Sequence, residues 1–193
     1  MEPWIVVGLG NPGPTYAGHR HNVGFLVADE LAKRTGARFG APKGMRAEVA
    51  EARLGPPPGA ARLVLVKSRT YMNDTGAAVS AVLAFYKLAP DRMIVVHDEL
   101  DIDPGQLRVK FGGGDNGHNG LKSIRRSLGT GDFYRVRIGV GRPPGRQDPA
   151  NFLLSNFPAS AKADVAIEVD RAADAVESLV SVGLERTQSA FNS

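Results

Sequence analysis

The chain has 193 residues and a mass of 20.5 kDa, a length that one hydrophobic core serves up to roughly 200 to 250 residues, so a single domain over residues 1–193 is expected. No cysteine is present, which excludes disulfides, thiolate metal sites and a catalytic thiol. No apolar run approaches the roughly 20 residues that span a bilayer, and MEPWIVVGLG lacks a basic n-region and cleavage site, so a cytoplasmic protein with no membrane partner is expected.

Trp4 to Val7 is a short apolar, β-branched run that predicts a buried strand ending at Gly8. From Asn22 to Arg34, Val23, Leu26, Val27 and Leu31 recur at helical spacing, with Gly36 as the stop. Arg46 to Leu54 and Leu63 to Val66 read as two strands joined by the loop Gly55-Pro56-Pro57-Pro58-Gly59. Thr75 to Leu88 predicts a second helix, closed by Pro90. Met93 to Val96 is a buried-strand pattern running into His97-Asp98-Glu99, so polar groups emerge at a strand's C-terminal end, where sites in open α/β sheets lie. Gln106 to Phe111 alternates as a partly exposed strand, Leu121 to Leu128 has helical spacing, and Arg135 to Val140 is a further strand. Ala161 to Val182 predicts a long C-terminal helix with Val165, Val169, Ala172, Val176 and Leu179 on one stripe. The alternation predicts an α/β fold: a twisted mixed β-sheet flanked by helices on both faces.

Charge is unevenly spread. Between Pro104 and Gln147 nine Lys or Arg face only Asp115 and Asp132, a net of +7, while the rest of the chain nets −3. A polyanion-binding face needs such asymmetry, although a solvated surface with arginines pointing several ways satisfies it equally. Gly8-Leu9-Gly10-Asn11-Pro12-Gly13 matches the dinucleotide pattern G-x-G-x-x-G after a strand. Pro12 and Pro14 disfavour the helix that must follow it, and Asp29 and Glu30 fall inside a helix rather than ending a second strand. No cofactor is expected.

Four polar clusters punctuate the ends of apolar elements: Asn11 to His21, Tyr71-Met72-Asn73, His97 to Asp101, and Gly112 to Gly120 with His118-Asn119. Taken alone, each is explained by turns and caps. The segments GLGNPGPTYAGHRHNVGF, YMNDTG, VHDELD and FGGGDNGHNGLKSI together resemble the signature stretches of bacterial peptidyl-tRNA hydrolases, in order, in spacing and over nearly the whole chain.

That resemblance implies hydrolysis of the ester between peptide and tRNA, with His21 as catalytic base, Asp98 holding it, and Asn11 recognising the peptide end. It implies that Asn73 and Asn119 bind substrate and position water, and that Lys110, Lys122 and Arg137 meet tRNA phosphates. Tyr16 and Tyr71 match positions where a ring packs on the tRNA's adenosine end or simply on the rim of the site. The chemistry is sound on its own terms. A neutral imidazole accepts a proton from water near neutral pH, and an ionised Asp on its other nitrogen fixes the tautomer and stabilises the imidazolium. Without the other clusters, His21 would read as a capping or core histidine. Arg108, Arg125, Arg126 and Arg135 are weaker phosphate candidates, and Asp115 is an acid where many relatives carry a smaller or basic residue. A His/Asp metal site from His19, His21, His97, Asp98 and Asp101 lacks the helical spacing of zinc signatures, so none is expected. A monomer is expected, and a non-catalytic RNA-binding relative of the same fold is the alternative.

Overall fold

Residues 2–192 are described by a computed structural model in which Trp4–Gly8 forms strand β1, with Ile5, Val6 and Val7 wholly buried. Its neighbours on either side, β3 (Ala61–Ser68) and β4 (Met93–Glu99), run parallel to it. A strand covered on both faces must be apolar throughout, which is why WIVVG and MIVV read as continuous runs rather than alternating ones. β2 (Ala47–Leu54) folds back antiparallel on β3 through the Pro-rich loop. β6 (Tyr134–Gly139) joins β4 in parallel, and β5 (Leu107–Phe111) closes the far edge antiparallel to β6. The order is β2-β3-β1-β4-β6-β5: four parallel strands with one antiparallel strand at each edge.

Helices cover both faces. On one, α1 (Val23–Thr35) and α5 (Lys162–Val182) pack Val27, Leu31, Ala172 and Val176 against Val6, Ile94 and Val136. On the other, α2 (Thr75–Tyr86) and α3 (Asn119–Leu128) pack Val79, Val82, Leu121 and Ile124 against Val7, Val66 and Val95. Gly36 and Gly129, both left-handed, terminate α1 and α3.

Two helices were not expected from periodicity. α4 (Pro149–Leu153) is capped by Asp148, whose side chain accepts the Ala150 N–H at 3.1 Å. α6 (Leu184–Phe191) lies along edge strand β5, where Gln188 donates to the Val109 carbonyl and Asn192 bonds both Val109 backbone groups, at 2.7 and 2.9 Å. An open edge is thereby covered. The parallel strands β1, β3, β4 and β6 all end on one side of the sheet, so the loops that follow them share one rim.

Candidate active site

His21 reaches the rim because the chain leaves β1 through a long loop and enters α1 through a 3-10 turn, Arg20–Asn22. The loop is seated by close backbone packing. A Cβ on Gly8 would lie 2.1 Å from the Gly24 carbonyl oxygen, and one on Gly24 would lie 2.4 Å from the Val96 oxygen. Both positions therefore require glycine, and the glycine motif serves helix-to-strand packing here: α1 begins only at Val23, and Asp29 and Glu30 lie within it. Asn22 braces the loop, its Oδ1 accepting the Asn11 N–H at 3.0 Å and its Nδ2 donating to the Asn11 carbonyl at 2.8 Å. Asn11 Oδ1 in turn accepts the Met72 N–H at 2.7 Å, which ties the β1 loop to the β3 loop and leaves Asn11 Nδ2 as a donor.

Asp98, near the end of β4, is buried and shared between two imidazoles. His21 Nδ1 lies 2.7 Å from its Oδ2, and His118 Nε2 lies 2.8 Å from its Oδ1. His118 Nδ1 accepts the Gly120 and Leu121 N–H groups as N-cap of α3, so its proton sits on Nε2 and is donated to Asp98. His21 likewise donates from Nδ1, which leaves the lone pair of its Nε2 uncommitted. Burial alone would raise the Asp98 carboxyl, but the charges and hydrogen bonds of His118 and His21 outweigh it and hold the group well below the usual carboxylate range. His97, one residue earlier, is fully buried with Nδ1 donating to the Asp98 carbonyl at 2.8 Å. Burial, followed by the neighbouring His118, pushes its pKa down to about 3, so it stays neutral.

A cavity of about 360 Å3 opens in front of His21. The structure brings Asn11, Tyr16, Tyr71, Asn73 and Asn119 to it together, with His118 and the apolar residues Leu100, Leu153 and Leu154. Asn73 and Asn119 are exposed, with no intramolecular side-chain hydrogen bond among the described residues. Tyr16 and Tyr71 stack edge to face at 5.8 Å, Tyr71 remaining 58 % exposed. Arg20 fastens the wall formed by α4: its guanidinium lies 4.0 Å over the Phe152 ring and bonds Ser155 and the Asn156 carbonyl.

The side chains able to surround a cation differ from those considered in sequence. Among the described residues, only His21, Asp98 and His118 bring ligand atoms within 4.8 Å of one another. His21 and His118 each turn a ring N–H to Asp98, so the trio reads as a hydrogen-bonded array in which His21 Nε2 keeps its lone pair. His19, His97 and Asp101 are not part of it.

The basic segment divides. Lys110 and Arg137 lie close enough to interact electrostatically, and Arg137 Nη2 also bonds Glu99 Oε1 at 3.1 Å. Lys122 is exposed in a separate hollow with Arg125 and Arg126. Arg135, a weaker phosphate candidate in sequence, is corrected: it is 1 % exposed and bonds the carbonyls of Gly113, Gly114 and Gly131. Asp115 accepts from Arg125 at 3.3 Å and from the Gly117 N–H at 2.9 Å. Sequence reasoning missed His118 as the second partner of Asp98, Asn22 as the brace of Asn11, and Asn116, which joins Glu99 and Asp101. HRHN and DNGHN carried those residues, but no spacing rule pairs groups across a sheet.

The family described as peptidyl-tRNA hydrolase matches residues 5–193. The chain is 57% identical to a peptidyl-tRNA hydrolase of Streptomyces coelicolor, covering 99% of this chain and 96% of that one. It is 55% identical to one of Cutibacterium acnes, with both chains fully covered. Its fold is similar to the crystal structure of peptidyl-tRNA hydrolase from Acinetobacter baumannii, with a TM-score of 0.87 at 33% identity over 100% of this chain and 95% of the other.

Proposed function

Since the chain belongs to the peptidyl-tRNA hydrolase family, we propose that it hydrolyses the ester between peptide and tRNA ribose with His21 as general base. The observation that carries this assignment is the 2.7 Å contact between His21 Nδ1 and the buried Asp98 carboxylate, beside a cavity lined by neutral amides. Water attacks the ester carbonyl carbon as His21 Nε2 takes its proton, and Asp98 stabilises the imidazolium that forms. Asn119 and Asn73 steady the water and the tetrahedral oxyanion, each offering N–H donors without a charge that would disturb the imidazole. When the intermediate collapses, His21 returns the proton to the leaving ribose oxygen. His118 acts behind this step, occupying the second Asp98 oxygen so that the carboxylate cannot swing away from His21.

Specificity follows from the same amides. A peptidyl group presents an amide that Asn11 and Asn73 can satisfy, whereas a free aminoacyl group presents an ammonium that they leave poorly compensated. Tyr16 and Tyr71 give the terminal adenosine a ring to pack on, and Lys110, Lys122 and Arg137 meet phosphates of the acceptor arm. A monomer is the reading that fits a cavity whose histidine, asparagines and tyrosines all come from one chain, and a substrate that belongs to translation places its work in the cytoplasm. No observation favours the non-catalytic alternative.

The test is release of peptide from purified N-acylated aminoacyl-tRNA, with unblocked aminoacyl-tRNA as the comparison. His21→Ala is expected to lose on the order of 10²- to 10⁴-fold in kcat, and Asp98→Asn to fall in the same direction by freeing the tautomer. Undiminished turnover by His21→Ala removes the mechanism, and equal turnover of blocked and unblocked substrates removes the specificity reading.

A further inference from the structure

We propose that Arg135 is a positioning residue for substrate binding, holding the loop between β5 and α3 in the path that presents Lys110 to a tRNA phosphate. The inference rests on the phosphate role assigned to Lys110 above. Arg135 projects from β6 into the interior, where its guanidinium lies 4.5 Å over the Phe133 ring. Among the described residues no carboxylate forms an ion pair with it; its donors go to the carbonyls of Gly114, of Gly113 at 2.8 Å and of Gly131 at 3.1 Å. A cation withdrawn from water without a paired carboxylate leans on its hydrogen bonds: both Arg135 Nη atoms are spent on carbonyls, while the buried Nε has no partner among the described residues, and the two ends of a planar fork reach carbonyls set apart in space where a compact ammonium presents its donors from a single atom. Arg135 thus joins two loops, one on each side of α3.

The loop is built to receive it. Gly112 and Gly113 adopt φ of 75° and 110°, which lets the following carbonyls turn inward. In a trans peptide the N–H opposes the C=O, so the Gly114 and Asp115 N–H groups turn away from the guanidinium. A Cβ on Gly113 would sit 2.7 Å from Lys110 Nζ, so the Lys110 ammonium rests against the loop at this point. The other end of the loop is anchored without Arg135. Asn116 bonds Glu99 and Asp101 at 2.8 Å each, and His118 is held by Asp98. Disturbing Arg135 therefore displaces the Lys110 end and leaves His118 and Asn119 in place, an effect on KM rather than on kcat.

The experiment compares Arg135→Lys, Gly131→Ala and Lys110→Ala on N-acylated aminoacyl-tRNA and on an N-acylated aminoacyl ester of a short oligonucleotide lacking the acceptor stem. Arg135→Lys keeps the charge but replaces two separated Nη atoms by donors on a single nitrogen; it is expected to raise KM for the tRNA substrate roughly three- to tenfold, with kcat within about twofold and the short ester unaffected. Gly131→Ala, whose Cβ would lie 2.6 Å from the Gly113 oxygen, disturbs the same contact without altering charge and is expected to act in the same direction. Should Lys110→Ala raise KM while both loop variants keep the wild-type value, the proposal is overturned. Equal losses on both substrates also overturn it, since they mark general structural damage. If Lys110→Ala leaves KM unchanged, the phosphate reading fails and this proposal fails with it.

Discussion

Three histidines crowd the end of β4, and they are held by different hydrogen bonds. His21 and His118 each place an N–H on Asp98, whereas His97 spends Nδ1 on a backbone carbonyl and leaves Nε2 without a partner among the described residues. A buried imidazole of this kind resists protonation in the fold but not in the unfolded chain. Its folded pKa of about 3 lies below the ordinary histidine value of 6.5, so its contribution to stability is complete above pH 6.5 and is lost as pH falls towards 3. The slope approaches about 1.4 kcal/mol per pH unit inside that window, with Asp98 adding its own loss only below the usual carboxylate range. Urea midpoints measured from pH 7 to pH 4 are expected to fall in the wild type and to fall less steeply in His97→Asn; parallel slopes would count against His97 as their source.

The elements that could be read from sequence are those whose apolar residues repeat within them. β1, β4, α1 and α5 bury long runs or stripes; the ends of β1, α1 and α5 lie within a residue of expectation, while β4 continues three residues past Val96 to Glu99. α4 and α6 could not be read this way because partners elsewhere in the chain hold them: Arg20 stacks on Phe152 in α4, and the Val109 backbone binds the end of α6. The start of α1 is closely seated, since main-chain atoms approach Gly24 from both Leu9, just after β1, and Val96 in β4. Gly24→Ala is expected to cost about 1 to 3 kcal/mol, read as a lower urea midpoint at unchanged m-value, because backbone cannot move aside as a flexible side chain does. An unchanged midpoint would show that α1 can lift from the sheet without penalty.

Across the whole molecule the net charge of the Pro104 to Gln147 segment overstates what is available to a polyanion. Arg125, Arg137 and Arg142 each pair with a carboxylate and Arg135 is buried, so the phosphate role is proposed for a narrower set that includes Lys110, Lys122 and, once Glu99 yields it, Arg137. Removing one phosphate-binding cation is expected to reduce the dependence of log KM on log salt by about 0.7 to 0.9. Lys110→Ala and Arg137→Ala are therefore expected to raise KM, flatten that dependence and spare kcat; a change confined to kcat would contradict a phosphate role.

By itself the sequence determined the α/β class, the order of the main strands and helices, and the family, through four signature segments that also nominated His21, Asp98 and the three asparagines. The tertiary structure alone decided that Asp98 serves two imidazoles, that Asn22 locks Asn11, and that Arg135 faces inward while Arg137 is partly exposed. Local periodicity reports which residues leave water. Contacts between positions 77 residues apart, such as His21 and Asp98, depend on strand register and loop path, which no short window of sequence contains.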